Sequence, residues 1–162
     1  MKIREAHKSD FEEIFNVISS SFSTQSESDL VKQLILDDDV LINLVAESSG
    51  KIIGNVIVSK TTMEHDERLL CGGVAPVSVL PKHQLIGIGS KLMREVIKKS
   101  KMMSIDALFL VGDPNYYRRF GFTISKLKND FSVKNFQELE LTENCLVNVN
   151  SKISYANAFV NL

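Results

Sequence analysis

Cysteine is scarce in this chain of 162 residues: Cys71 and Cys145 are the only two, too few for a disulfide framework. A lone bridge between them is not expected, and a reducing cytoplasm is the simplest compartment. An excess of one charge is missing too. Nineteen basic residues against twenty acidic ones leave a formal net charge of -1, so no overall basic field argues for nucleic acid or for an anionic membrane. The start of the chain, Met1-Lys2-Ile3-Arg4-Glu5, lacks the apolar stretch of a signal peptide, and no apolar run is long enough to span a bilayer. His7, His65 and His83 never pair at ligand spacing, so no metal is expected. Repeats, low-complexity segments and linkers are absent.

What remains is an ordinary globular balance. Hydrophobic residues make up 44% and charged residues 24%, and the length favours one domain over 1–162 with a sizeable core. Residues 2–6 read as a short strand. Ser9 or Asp10 can cap a helix whose inner face is Phe11, Ile14, Phe15, Ile18 and Phe22. Ser26-Glu27-Ser28-Asp29 gives a capping-box-like start to a second helix with Leu30, Val31, Leu34 and Ile35 as its stripe. The acids Asp37-Asp38-Asp39 oppose the dipole of a helix end and mark the stop, as a solvated turn rather than a metal site. Residues 41–47 and 51–60 form a hairpin around Gly50, and residues 69–79 a further strand. Pro76 inside that strand points to a bulge, because proline cannot donate to a ladder. Residues 105–111 are nearly all apolar, as a strand buried on both faces would be, and residues 122–125 continue as a strand. Farther on, Phe131, Val133, Phe136, Leu139 and Leu141 show no clear period, and residues 145–149 and 152–155 read as late strands. The succession implies a mixed α/β domain with helices on both faces of a sheet.

The organising stretch is Leu80-Pro81-Lys82-His83-Gln84-Leu85-Ile86-Gly87-Ile88-Gly89-Ser90. A buried strand precedes it, and a helix with Ile88, Leu92, Val96 and Ile97 on one face follows. The first amides of that helix lack internal partners and sit at the positive end of the dipole, so the turn suits a phosphate. The two glycines let an anion approach without a Cβ in the way. A nucleotide-hydrolase loop is excluded, since Gly89 is followed by Ser90-Lys91 rather than by lysine and a hydroxyl residue. A dinucleotide fingerprint is excluded as well, since Leu92 stands where a third small residue is needed.

The remaining pattern, Gln84-x-x-Gly87-x-Gly89 after a Val-x-Val-Leu-Pro strand end, resembles the acetyl-CoA pyrophosphate loop of the GNAT-superfamily N-acetyltransferases. About thirty residues on, Asn115-Tyr116-Tyr117-Arg118-Arg119-Phe120-Gly121-Phe122 is similar to that family's Tyr-x-x-x-Gly-Phe segment. Together with Gly112-Asp113-Pro114, it resembles a subgroup of acetyltransferases whose substrates are mostly undefined. The resemblance covers the chain up to Phe122 and thins beyond.

The resemblance implies a central, mostly antiparallel sheet with one splayed parallel strand pair and helices on both faces. It implies acetyl-CoA as cosubstrate, a primary amine of a small molecule or of a peptide or protein as acceptor, and direct transfer in a ternary complex. Val77, Ser78 and Val79 would pair with the pantetheine arm, and the Val79 amide would serve as oxyanion donor. Leu85, Ile86, Gly87, Ile88, Gly89 and Ser90 would wrap the pyrophosphate. The cation that many members carry after the glutamine is replaced by Leu85-Ile86, and neither Lys82 nor Lys91 is assigned in its place. Tyr117 occupies the position of the tyrosine that protonates the leaving thiolate, with Tyr116 as its rival. An asparagine that many members place seven residues earlier falls on Leu110, leaving Asp113 or Asn115 as replacements. The general base stays open: Glu27, Glu64, His65 and Asp66 each read first as a solvated surface charge, and a bound water or an amine already partly neutral could serve instead. The alternative is an acetyl-CoA-binding sensor with little activity. A homodimer is compatible with the family; a nucleic-acid or membrane partner is not expected.

Overall fold

In the computed structural model, which describes residues 1–131 and 134–161, there are twelve α-helices and strands, of which the first ten follow the expected succession. They are β1 (Lys2–Glu5), α1 (Phe11–Ser21), α2 (Ser26–Leu36), β2 (Val40–Ser48), β3 (Lys51–Met63), β4 (Cys71–Val79), α3 (Ile88–Met102), β5 (Ala107–Val111), α4 (Pro114–Tyr117), β6 (Thr123–Ile124), β7 (Phe136–Glu140) and β8 (Ile153–Tyr155). The strands form one sheet in the order β1-β2-β3-β4-β5-β7-β6, with β8 added to the far end of β3. Of these strand pairs only β4 and β5 run parallel; the others are antiparallel.

Why the inner strands read as continuous apolar runs follows from this order. Side chains alternate between the two faces of a strand, and both faces here are covered. Along β5, Ala107 and Phe109 enter one core cluster, while Leu108 and Leu110 enter the other. The first cluster is closed by Ile14, Val17 and Ile18 of α1 and by Leu30, Val31 and Leu34 of α2. The second is closed by Ile88, Leu92, Met93 and Val96 of α3. The mixed α/β sheet with helices on both faces is therefore as expected.

Several local expectations differ. The α2 start forms no capping box: its N-cap is Gln25, without a side-chain cap, and Glu27 instead accepts from Thr24 Oγ1 at 2.8 Å. Phe22 stands just past α1 in extended conformation, yet still packs against the cluster that the inner face of α1 enters. Residues 145–149 are not a strand. Cys145 and Val147 are held by turn hydrogen bonds, and Asn144 and Asn148 take positive φ, which asparagine tolerates. Conversely, Phe136–Glu140 is a strand that its pattern hides, because Gln137 is as buried as Phe136 and donates from Nε2 to Gly112 O at 2.9 Å. Val133 lies outside the described residues.

At the other end of the sheet, Arg4 ties β1 to its surroundings, bonding Asp10 at 2.7 Å and Glu47 at 2.6 Å. The Arg4 guanidinium pulls the buried Asp10 carboxyl down to about 2, and the two carboxylates raise Arg4 in return. No helix among the described residues is long and apolar enough to cross a membrane.

Candidate functional site

The site begins where the sheet splits. β4 and β5 pair only from Cys71–Ala107 to Gly73–Phe109, and beyond that point they part. On its other side β4 carries a bulge: Val74 faces Val58 and Val77 faces Val56, so two residues, Ala75 and Pro76, oppose Ile57 alone. The Ala75–Pro76 bond is cis. Past the bulge, Val77 and Val79 line the opening, whereas Ser78 is buried on the opposite face with its hydroxyl 3.5 Å from Asn55 O.

The turn after β4 is held by its own glutamine. Gln84 Nε2 and Ser21 Oγ both donate to Val79 O, each at 2.9 Å, which anchors the loop and α1 to the strand end. Gly87 takes φ +89 immediately before α3, a left-handed geometry that glycine adopts without steric cost. Leu85 adopts φ 62 with its side chain fully exposed. No side chain among the described residues caps α3, so its first amides are left for another acceptor. At Gly89 the constraint is space. A Cβ there would stand 3.2 Å from the Tyr116 hydroxyl and 3.9 Å from Val79 Cγ2.

The opposite wall comes from α4. Asp113 caps it by accepting from Asn115 N at 2.9 Å. Tyr116 and Tyr117 meet edge to face, with ring centroids 4.9 Å apart, and the Arg119 guanidinium lies 4.6 Å from the Tyr116 centroid. Tyr117 packs so tightly over Gly112 that a Cβ there would fall 2.4 Å from its ring. Burial pushes the Tyr117 phenol up to about 12, with Tyr116 adding to the effect, so it stays protonated through the neutral range.

Two hollows result. A cleft of about 620 Å³ runs along Val79, Leu85, Gly87, Ile88, Gly89 and Ser90 to Tyr116 and Arg119. A second hollow of about 350 Å³ opens on the far side of Tyr117, walled mainly by apolar side chains. Val77 and Tyr117 line both. Of the residues expected at the cofactor, Ile86 and Asn115 are exposed and stand outside the cleft wall, as do Asp113, Lys82 and Lys91. Leu110 is buried in the core. Arg119, which belongs to the tyrosine segment but had no role assigned by the sequence, is the cationic residue of the cleft wall.

Among the four candidates for the base, Glu27 lines the apolar hollow together with Tyr117. His65 and Asp66 border a separate depression beside Cys145, and Glu64 pairs with His65 at 3.6 Å. Cys71 is buried in the first core cluster, and burial pushes its thiol up to about 12, which suits packing rather than nucleophilic work. Among the described residues no three His, Cys, Asp or Glu side chains gather for a metal ion.

Residues 2–125 match the family model of the acetyltransferase (GNAT) domain. The chain is 31% identical to the uncharacterized N-acetyltransferase YjhQ of Escherichia coli (strain K12), over 71% of this chain and 65% of that protein. That match, like the one to YhbS of the same organism at 30% identity, spans just under two thirds of the relative's length. Among solved structures, the GNAT family N-acetyltransferase YhbS from Escherichia coli, in complex with CoA, superposes with a TM-score of 0.93 at 28% identity, covering 98% of this chain and 91% of that one. A GNAT family acetyltransferase from Brucella melitensis, in complex with acetyl-CoA, gives a TM-score of 0.84 at 31% identity, covering 98% and 97%.

Proposed function

This chain belongs to the GNAT acetyltransferase family, and we propose that it is an acetyl-CoA-dependent N-acetyltransferase, one catalytic unit over residues 1–162. The observation that carries the reading is that Val77 and Tyr117 line both hollows, so one phenol serves a cofactor cleft and an acceptor pocket at their junction. The complexes of its relatives with CoA and acetyl-CoA support the choice of cosubstrate.

The glycine turn and the uncapped start of α3 take the pyrophosphate, with Gly89 leaving room beside Tyr116. Arg119 supplies the cation that Leu85-Ile86 does not. Val77 and Val79 present strand edge to the pantetheine arm, and the Val79 amide donates to the developing oxyanion. Acetyl-CoA brings the thioester. Glu27, alone or through a water, takes a proton from the ammonium of the acceptor. The freed nitrogen lone pair then forms the new C–N bond and the C–S bond breaks. Tyr117 gives its proton to the thiolate and is reprotonated by solvent, while the amide nitrogen loses its second proton. One proton is released overall, with amide and CoA thiol as products. The free state of Cys71 and Cys145 supports a reducing, cytoplasmic setting.

Thiol release measured over a broad primary-amine panel tests the reading. Turnover that collapses in Tyr117→Phe, with acetyl-CoA affinity retained, is the expected result. Tight acetyl-CoA binding with no turnover of any amine would instead favour a sensor.

A further inference from the structure

The hollow beyond Tyr117 has a chemistry of its own. Its walls come from the end of α1, from α2, from the bulge of β4 and from the last part of the chain. Phe131, Tyr155 and Phe159 form one side as a herringbone: Phe131 and Phe159 meet the Tyr155 ring edge-on at centroid distances of 5.1 and 5.0 Å. Phe22 and Leu30 add apolar surface. Tyr155 contributes no charge, because burial raises its phenol far above the neutral range, and its hydroxyl has no hydrogen-bond partner among the described residues. Among those residues, the single formally charged one in the lining is Glu27. Its position is fixed by α2 and by Thr24, which donates to the carboxylate at 2.8 Å.

Size and charge together narrow the occupant. At about 350 Å³ the hollow is near the lower end of small-ligand sites, which run from about 300 to 1,000 Å³. One carboxylate can balance one ammonium. A polyamine or aminoglycoside would bring further charges into an apolar wall with nothing to pair them, and an unpaired charge there is strongly disfavoured. Stacked ring edges favour a flat apolar body over a hydrated chain.

We infer that the acceptor is a small primary amine carrying one ring-sized apolar body and no second charge, seated among Phe22, Leu30, Phe131, Tyr155 and Phe159 with its ammonium at Glu27. The inference rests on the acetyltransferase reading and narrows it to a substrate class.

Three amines separate the outcomes in a thiol-release assay at saturating acetyl-CoA: phenethylamine, spermidine, and Nα-acetyl-lysine amide as a stand-in for a protein side chain. The expected kcat/KM for phenethylamine exceeds each of the others by about tenfold or more. Equal values, or a preference for spermidine or the lysine amide, would overturn the inference while leaving the acetyltransferase reading intact. Calorimetric titration of phenethylamine into the CoA-saturated protein reads the pocket independently of turnover. Saturable binding is expected, and its absence in a protein that binds CoA overturns the seat. Two variants at partly exposed positions sharpen the result. Phe22→Ser should raise the Michaelis constant for phenethylamine about tenfold with little change in acetyl-CoA affinity. Glu27→Gln should weaken the amine's binding to the CoA complex about tenfold, and unchanged binding in both variants would place the amine elsewhere. Failure of acetyl-CoA itself to bind would strike the parent reading instead.

Discussion

The cleft beside α3 draws its walls from residues 77 to 119, whereas the apolar hollow draws on residues 22 to 159. The first is largely a backbone device. A bulged strand, a left-handed glycine and an uncapped helix start place amides and carbonyls, with side chains needed mainly to stay out of the way. The second is a side-chain device, in which rings and aliphatic groups from separated segments converge on one volume. Backbone devices leave local signatures in a sequence; convergent side chains do not. The two meet at Val77 and Tyr117, so a perturbation aimed at one hollow can be scored against the other.

The largest effect is expected from Gly89→Glu. The new carboxylate would enter the space facing the Tyr116 hydroxyl and repel a pyrophosphate, weakening acetyl-CoA by at least about 100-fold in calorimetry. Gly89 takes no part in the apolar hollow, so a melting curve like that of the wild type should accompany the loss. Undiminished binding would move the pyrophosphate away from this turn.

Next comes Tyr117→Phe, which should lower kcat about 100-fold, the scale of a lost general acid, while the Kd of acetyl-CoA stays within about twofold. Tyr116→Phe should do the reverse, touching affinity more than kcat, because its hydroxyl faces Gly89. An exchange of those two phenotypes would make Tyr116 the acid and break the junction argument.

A region remote from both hollows supplies a stability control. The folded Asp10 carboxyl is held at about 2 by Arg4, below its ordinary value of 3.8. A depressed carboxylate contributes stability that is fully present above its unfolded value and is lost as pH falls through the folded one. The unfolding free energy from urea titration should therefore decline from about pH 4 toward pH 2, by roughly 2 kcal/mol from this group. In Asp10→Asn that part of the acid decline should disappear, with a lower plateau at neutral pH. An unchanged acid limb would show that Arg4 does not hold the carboxyl.

The smallest change should follow Arg119→Gln. A charge-assisted contact to a phosphate is worth about tenfold in affinity, and its loss should flatten the salt dependence of acetyl-CoA binding. No change in either would leave the cleft without the cation proposed for it.

How far the sequence could be read follows the same division. Gln84, Gly87, Gly89 and Pro76 announced the cleft because each serves a backbone requirement tied to its neighbours in the chain. Tyr117 was legible beside them, although its packing on Gly112 was not. Arg119 stood in the same motif without a role, since nothing local distinguishes an arginine that will stack on Tyr116 from one in solvent. The far wall was out of reach for a different reason. Phe131 and Phe159 lie in no recognisable element, and Tyr155 lies in a strand that could be read at 152–155 but whose partner could not. Gln137, buried and bonded to Gly112 O, breaks the alternation that would have marked β7. The apolar run at 145–149 misled in the opposite direction, since turns at Asn144 and Asn148 carry it instead.

β8 rests on β3 through the pairs Thr61–Tyr155, Thr62–Ser154 and Met63–Ile153, and Asp130 fastens the neighbouring segment by accepting from Tyr155 N at 3.1 Å and pairing with Lys152 at 2.8 Å. All of these C-terminal residues lie beyond residue 125, where the match to the acetyltransferase family model ends. The tail is thus part of the core as well as of the hollow, since Phe136, Ile153, Tyr155 and Phe159 are buried in the first cluster. One wall of the apolar hollow therefore lies outside the family match, whereas the glycine turn lies wholly within it.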